Sequence, residues 1–242
     1  ESQRMWKAVH AFYEKRDFAP AWIDGRRPTG ELDELLEVLQ AAGNEGLDPA
    51  MYGATALAAH RQNASGRRFS RDAFQKNDVD DVDVWSTWAF MAYASDLADG
   101  VTDPKKITGT WGMRPTPIEP AKLLNDALAS GDVKGAIDGI APRHPEYAAL
   151  KKALIDYQDM AEKGGWEPLP KGLKLKPGAT HAAVPALRKR LAITHDFTGS
   201  ADDTSTSYDD ALVSAVKLFQ LRHGLAEDGV VAGGTLEALN VP

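Results

Sequence analysis

The sequence predicts a mainly α-helical protein with two domains. Apolar residues recur at the spacing of one helix face along most of the 242 residues, as Leu32, Leu35 and Leu39 illustrate. No stretch alternates apolar and polar residues for long enough to predict a sheet. A stretch rich in proline and lysine at 166–177 separates two helical regions. We therefore expect a helical domain at 1–165, a linker at 166–177 and a small three-helix domain at 178–242.

The composition excludes several classes of function. Hydrophobic residues make up 43% of the chain and charged residues 26%, the balance of a folded globular protein. The net charge of −7 gives no electrostatic attraction to nucleic-acid phosphates. No apolar run reaches the roughly 20 residues of a transmembrane helix. The chain has no cysteine, which excludes disulfides, thiolate metal sites and cysteine nucleophiles from it.

Three helices are expected in the first 65 residues. Apolar residues at helical spacing predict the first over 2–17, and Pro20 then interrupts the pattern. The leucine stripe predicts the second, and Gly43 and Gly46 mark its end. A short helix is expected at 54–63.

The most apolar helix is expected to follow an acidic run. The aspartates within 78–83 suit a solvated helix start, because carboxylates there oppose the positive end of the helix dipole. The helix then continues to Leu97, and we expect it to lie at the centre of the first domain. Packing, rather than a sugar-binding platform, is the role assigned to five tryptophans: Trp6, Trp22, Trp85, Trp88 and Trp111.

Three further helices precede the linker. Prolines favour extended chain over helix at 107–120. Short helices are expected at 121–129 and 133–140. A longer one opens at Pro145, because proline suits the first turn of a helix. Its apolar face carries Tyr147, Leu150, Leu154, Tyr157 and Ala161.

The last 65 residues predict a compact unit of three helices. Leu187 and Leu191 lie on one face of the first helix, and Asp209 is a candidate N-cap for the second. Asp228 and Gly229 predict a turn before a short third helix. Residues 184–191, 208–209, 215–220, 224–231 and 235–240 resemble the bacterial peptidoglycan-binding domain of the three-helix type. An insert at 196–207, rich in Ser, Thr and Asp, departs from that pattern.

A second resemblance runs through the first domain, at residues 12–22, 45–52, 93–97, 100, 103–104, 144–147, 150 and 164–166. With these residues the first domain resembles the scaffold domain of large Gram-negative L,D-transpeptidases. In that family a catalytic domain with a cysteine nucleophile follows and crosslinks peptidoglycan stem peptides. This chain stops at Pro242 and has no cysteine, so we expect it to be catalytically silent, without catalytic residues. A fragment is the simplest account, and a natural silent relative is the alternative.

The resemblance implies a periplasmic location and peptidoglycan as the partner, either its glycan or its stem peptides. Six residues of the small domain are candidate contacts: Arg188, Tyr208, Arg222, His223, Asp228 and Thr235. Arginines suit stem-peptide carboxylates, because a guanidinium donates paired hydrogen bonds. Each candidate also has a structural interpretation, such as a helix cap for Thr235 or turn chemistry for Asp228.

Other chemistries have weaker support in the sequence. The six histidines lack paired metal-ligand spacing, so we expect no metal and no cofactor. One alternative function is a cell-wall glycan hydrolase that uses a carboxylate pair. Its candidate acids are Glu14, Glu34, Glu37 and Glu45. Another is an interaction scaffold for wall-synthesis proteins or for the missing catalytic domain.

Overall fold

A computed structural model describes residues 2–25, 27–66, 76–110 and 118–241. Ten α-helices dominate these ranges, which confirms the predicted mainly α-helical class. The chain divides into two compact units, Glu1–Leu154 and Ile155–Pro242. The predicted domain limits at 165 and 178 stay a prediction.

Seven helices begin in the first unit, and the last of them ends in the second. A two-residue hairpin, β1 (Ile23–Asp24) with β2 (Arg27–Pro28), lies between the first two helices. Short 3₁₀ helices occur at Ala41–Glu45, Pro49–Tyr52 and Pro104–Lys106. The helices are α1 (Ser2–Glu14), α2 (Gly30–Gln40), α3 (Ala54–Gly66), α4 (Lys76–Asp99), α5 (Pro120–Ser130), α6 (Val133–Ile140) and α7 (Pro145–Glu162).

Helix α4 lies at the centre of the first unit, as its apolar composition predicts. It contacts α1, α2, α3, α5 and α6. Phe90, Met91 and Ala94 are completely buried on it, together with Trp22 from the hairpin region. Burial on several sides explains why apolar residues cover more than one face of this helix.

Asp83 corrects the interpretation of the acidic run as a solvated helix start. Because α4 begins at Lys76, Asp83 lies two turns inside it and is only 3% exposed. Its carboxylate accepts hydrogen bonds from the Tyr13 hydroxyl at 2.5 Å and the Trp22 amide at 2.7 Å. Asp80 and Asp81 are exposed, as predicted. The side chain of Asp78 lies outside the described residues.

The tryptophans of the first unit differ in burial. Trp22 is fully buried and Trp6 and Trp88 are partly buried, but Trp85 is 50% exposed. Trp85 still packs against Trp6 and Trp88, with ring centroids 5.1 and 5.7 Å apart, while half of its surface stays open. Trp111 and the middle of the predicted extended stretch at 107–120 lie outside the described residues.

The predicted apolar face of α7 is largely exposed. Leu150 is 71% exposed and Tyr157 is 43% exposed. Polar contacts hold the first half of the helix: the Tyr147 hydroxyl donates to Glu45 at 2.6 Å, and Lys151 forms an ion pair with the same carboxylate. The leucine spacing predicted the helix correctly but did not predict what its face contacts.

The second unit is built on three further helices, α8 (Val184–Ile193), α9 (Asp210–Arg222) and α10 (Gly233–Leu239). Leu187, Val216 and Phe219 are completely buried between them. Three more leucines of this core come from the stretch predicted as a linker: Leu169, Leu173 and Leu175. An isolated bridge pairs Leu175 with Val231 through two backbone hydrogen bonds of 3.0 Å.

Candidate functional site

A cleft of about 550 Å³ opens within the second unit. The end of α7 and the loop after it form one wall, and α8, α9 and α10 contribute the others. The side chains that line it with aromatic or polar groups are Tyr157, Trp166, Arg190, Thr194 and His223. We call this the Trp166 cleft.

Trp166 and Arg190 form one wall of the cleft as a stacked pair. The guanidinium carbon of Arg190 lies 3.7 Å from the centroid of the indole, within the range of a cation–π interaction. Arg190 also donates to the carbonyl of Leu239 at 2.8 Å, and Trp166 donates to the carbonyl of Val241 at 3.1 Å. Burial lowers the pKa of Arg190 to about 10. The wall therefore still carries a positive charge at neutral pH.

His223 is the predicted site residue that the structure places in this cleft. It is exposed at the end of α9, and its ring stacks on Phe219 with 3.9 Å between centroids. Its Nδ1 lies 2.8 Å from the carbonyl oxygen of Phe219. A carbonyl only accepts, so Nδ1 carries the proton and Nε2 is the acceptor of the neutral ring.

Arg222 lies next to the cleft, but Asp196 occupies its guanidinium. The two groups form paired hydrogen bonds of 2.8 and 2.6 Å, and Asp196 is only 5% exposed. Hydrogen bonding to Asp196 raises the pKa of Arg222. Thr194 links this pair to Arg190 through bonds of 2.7 and 3.2 Å. Arg222 therefore holds the cleft edge together, and its role as a carboxylate clamp stays a prediction.

Arg188 is fully buried and serves the fold rather than a ligand. Its guanidinium donates to the carbonyl of Ser205, to that of Ser207 at 2.8 Å and to Asp209 at 3.0 Å. These bonds fasten the end of the insert at 196–207 to α8. The predicted ligand contact is corrected, because the side chain has no exposed surface.

Three other predicted contacts surround the buried amide of Gln220. This amide donates to Asp228 at 2.9 Å and to Thr235 at 3.1 Å, and it accepts from Gly229 at 2.9 Å. The Tyr208 hydroxyl donates to the Gly229 carbonyl at 2.6 Å. Tyr208 and Thr235 are buried, so their predicted ligand contacts are also corrected.

Asp228 alone of this group is exposed. Its carboxylate accepts from the backbone amide of Val230 at 2.8 Å, and this bond, followed by the one from Gln220, lowers the pKa of Asp228. Gly229 has φ +70, the left-handed conformation that glycine favours. Turn chemistry is thus the observed role of this pair, and Asp228 does not line the Trp166 cleft.

Trp166, Arg190 and Tyr157 line the cleft but were absent from the predicted contacts. Trp166 lies in the predicted linker, and Arg190 lies among the basic residues of α8, so residue type alone did not single them out. The one signal was the run at 164–166, which is part of the resemblance to the transpeptidase scaffold.

The first unit offers little support for a hydrolase. Glu34 accepts from the amides of Val133 and Lys134 at 2.9 and 3.2 Å and so caps α6. Glu45 binds Tyr147 and Lys151, as described above. Glu14 is exposed beside His10 at 3.5 Å, and Glu37 is exposed. Across the described ranges, no three carboxylate or imidazole groups converge as metal ligands would.

Two family models match the chain. One, described as "Scaffold domain", matches residues 7–154. The other, described as "Putative peptidoglycan binding domain", matches residues 180–239. No curated protein matches the chain. In the part of the chain that the structure describes, every helix is too short or too polar to cross a bilayer.

Proposed function

We propose that this chain, which belongs to the scaffold-domain family, is the noncatalytic wall-binding part of a periplasmic L,D-transpeptidase. In this proposal the second unit holds the protein on peptidoglycan and the first unit is the scaffold. The parent enzyme forms 3-3 crosslinks between the meso-diaminopimelate residues of neighbouring stem peptides. The absence of cysteine from this chain requires the nucleophile to lie in a separate domain.

One observation carries the wall-binding part of the proposal. The family match at 180–239 covers the three helices of the second unit and includes four residues that line the Trp166 cleft: Arg190, Thr194, His223 and Ala238. The sequence match and the geometry therefore overlap on this side of the cleft.

The chemistry of the cleft suits the wall polymer. Trp166 and Tyr157 offer aromatic faces for sugar rings. Arg190 is only 3% exposed, and its guanidinium stacks on the indole of Trp166 and so fixes that ring. The Nε2 acceptor of His223 pairs with a hydroxyl or an amide hydrogen. The expected contacts in the cleft are therefore Trp166, Tyr157 and His223.

Sedimentation with purified insoluble peptidoglycan tests wall binding. We expect the full chain to pellet with the polymer and to stay in solution without it. Addition of soluble peptidoglycan fragments is expected to release the chain into the supernatant. Such release excludes mechanical trapping of the chain in the insoluble polymer. A chain that remains in the supernatant at moderate salt contradicts the proposal.

Analysis of the cell wall tests the transpeptidase parentage. Deletion of the gene that encodes this chain is expected to lower the fraction of 3-3 crosslinked muropeptides, and the intact gene is expected to restore it. An unchanged fraction in a strain with no second such enzyme contradicts the parentage, but leaves wall binding as a separate result.

A second candidate function is an interaction scaffold for wall-synthesis proteins. The exposed Leu150 favours it, because a large apolar side chain that is 71% exposed suits a protein contact. A Leu150→Glu variant is expected to pellet with peptidoglycan like the wild type. Loss of a stable complex with a wall-synthesis protein in that variant would support this second role.

A further inference from the structure

The first unit contains a cavity that the proposed function does not use. It measures about 350 Å³ and lies between α3, α4 and the 3₁₀ helix at Pro49–Tyr52. Trp85 and Asp81 reach it from α4 and His60 from α3, while aliphatic residues such as Leu57 and Val82 line the rest. We call it the Trp85 cavity.

The indole of Trp85 is both exposed and fixed in orientation. Half of the residue is exposed, although its helix neighbours Ser86, Ala89 and Phe90 are completely buried. Its ring meets Trp6 edge-on at 5.1 Å and Trp88 at 5.7 Å. These two contacts set the plane of the ring, so little side-chain entropy is lost when a ligand stacks on it.

Two polar side chains of the cavity, the Asp81 carboxylate and the His60 imidazole, are an acceptor and a donor of hydrogen bonds. Asp81 lies one turn before Trp85, and residues four apart share a helix face. An ionised carboxylate only accepts hydrogen bonds, whereas a neutral imidazole donates one and accepts one. The Tyr52 hydroxyl donates to Asp96 at 2.9 Å and so belongs to the wall. A hydroxyl group, which donates and accepts, satisfies both Asp81 and His60.

The charge of the cavity selects among ligands. Asp81 and the neighbouring Asp80 are exposed carboxylates, and no lysine or arginine is among the described residues that line the cavity. This arrangement disfavours phosphates and free carboxylates. A neutral ligand with one apolar face and a rim of hydroxyls matches the indole, the aliphatic wall and the two polar groups together.

We propose that the Trp85 cavity binds a sugar ring of a neutral glycan chain. The C–H face of the ring stacks on Trp85, and its hydroxyls pair with Asp81 and His60. A cavity of about 350 Å³ is at the small end of ligand pockets, which suits one ring of a longer chain. The site goes beyond the proposed function, because it lies in the first unit and requires no stem peptide.

Calorimetric titration of the full chain with tetra-N-acetylchitotetraose tests this site. We expect binding by the wild type and about a tenfold loss of affinity in Trp85→Ala, the size of one lost stacking contact. Asp81→Asn, an exposed change that keeps the fold, is expected to weaken binding several-fold. Ile107→Ala removes another exposed apolar side chain, 76% exposed and outside the cavity, and is expected to change nothing.

Three outcomes overturn the proposal: no binding by the folded wild type at millimolar sugar, equal affinity in wild type and Asp81→Asn, or binding of tetralysine in place of the sugar. Because the Trp166 cleft also offers aromatic faces to sugar rings, the variants assign the site. Affinity that is lost in Trp85→Ala and Asp81→Asn belongs to the Trp85 cavity, whereas affinity that is lost only in His223→Ala belongs to the Trp166 cleft and contradicts this proposal. Failure of this site is therefore distinguishable from failure of wall binding through the Trp166 cleft.

Discussion

At the scale of single residues, Asp83 links three parts of the first unit through one carboxylate. It lies on α4, it accepts from Tyr13 on α1, and it accepts from the amides of Ala21 and Trp22 before β1. Burial, with Asp83 as the second cause, raises the pKa of Tyr13, so this phenol stays protonated and donates at neutral pH. A buried charge of this kind is stable only because each of these donors is in place.

Replacement of this carboxylate is expected to destabilise the first unit. In Asp83→Asn, an NH₂ group replaces one carboxylate oxygen and faces the donors of Tyr13 and Trp22. We expect a loss of at least about 2 kcal/mol of unfolding free energy, which is the contribution typical of hydrogen bonds to a charged group. Urea unfolding measures the loss. Asp80→Asn is the matched control, because Asp80 is exposed on the same helix. Equal midpoints for the two variants contradict the structural role of Asp83.

Asp209 gives the second unit a pH-dependent contribution to stability. Its carboxylate accepts from the amide of Leu212 at 2.9 Å and caps α9. This bond, followed by the pairing with Arg188, lowers the pKa of Asp209. A lowered pKa adds stability that is complete above the unfolded value of about 3.9 and is lost as the pH falls through the folded value.

We therefore expect Asp209→Asn to differ most from the wild type near neutral pH. Asparagine still caps the helix, so the change isolates the charge. The difference in unfolding free energy is expected to shrink as the pH falls from about 4 through the lowered folded pKa of Asp209, because both side chains are neutral below that value. Urea unfolding at several pH values measures it, with Asp202→Asn in the exposed insert as the control. A difference that grows toward acid contradicts the assignment.

At the scale of elements, Arg188 determines how the insert at 196–207 joins α8. Its bonds to Ser205, Ser207 and Asp209 connect the two segments from a fully buried position. The insert was predictable as a departure from the family pattern. The structural role of Arg188 was not, because residue type does not tell whether a charge faces a ligand or the chain's own carbonyls.

Removal of Arg188 is expected to cost more than removal of its neighbour. Arg188→Ala leaves the carbonyls of Ser205 and Ser207 without their donor, and we expect about 3 kcal/mol or more of lost unfolding free energy. Lys189→Ala, at an exposed position next to it, is expected to change stability by under about 0.5 kcal/mol. Thermal unfolding of both variants measures this. Similar losses in the two variants contradict the role of Arg188.

The predictable elements were those with periodic apolar residues. Leucine spacing predicted α2, and the Asp209 cap marked the start of α9. The stretch at 166–177 gave no such signal, because Pro168, Pro170 and Pro177 interrupt any period. Its three buried leucines reach the second core from irregular chain, which only the tertiary contacts reveal.

At the scale of the whole molecule, the sequence was sufficient for the fold class and for the two families. It was less informative about the site. His223 was the predicted contact found in the cleft, whereas three of the others, Arg188, Tyr208 and Thr235, are buried. Residue type identifies groups capable of binding, but burial decides which of them a ligand reaches.

The most direct test of the central claim is the affinity of the His223→Ala chain for insoluble peptidoglycan. The claim is that the Trp166 cleft binds the wall. His195→Asn is the matched control, because His195 is exposed in the same unit outside the cleft, and asparagine tolerates its φ of +60. We expect His223→Ala to bind with about a fivefold larger dissociation constant than the wild type. We expect His195→Asn to bind like the wild type. Wild-type binding by a folded His223→Ala chain would contradict the account.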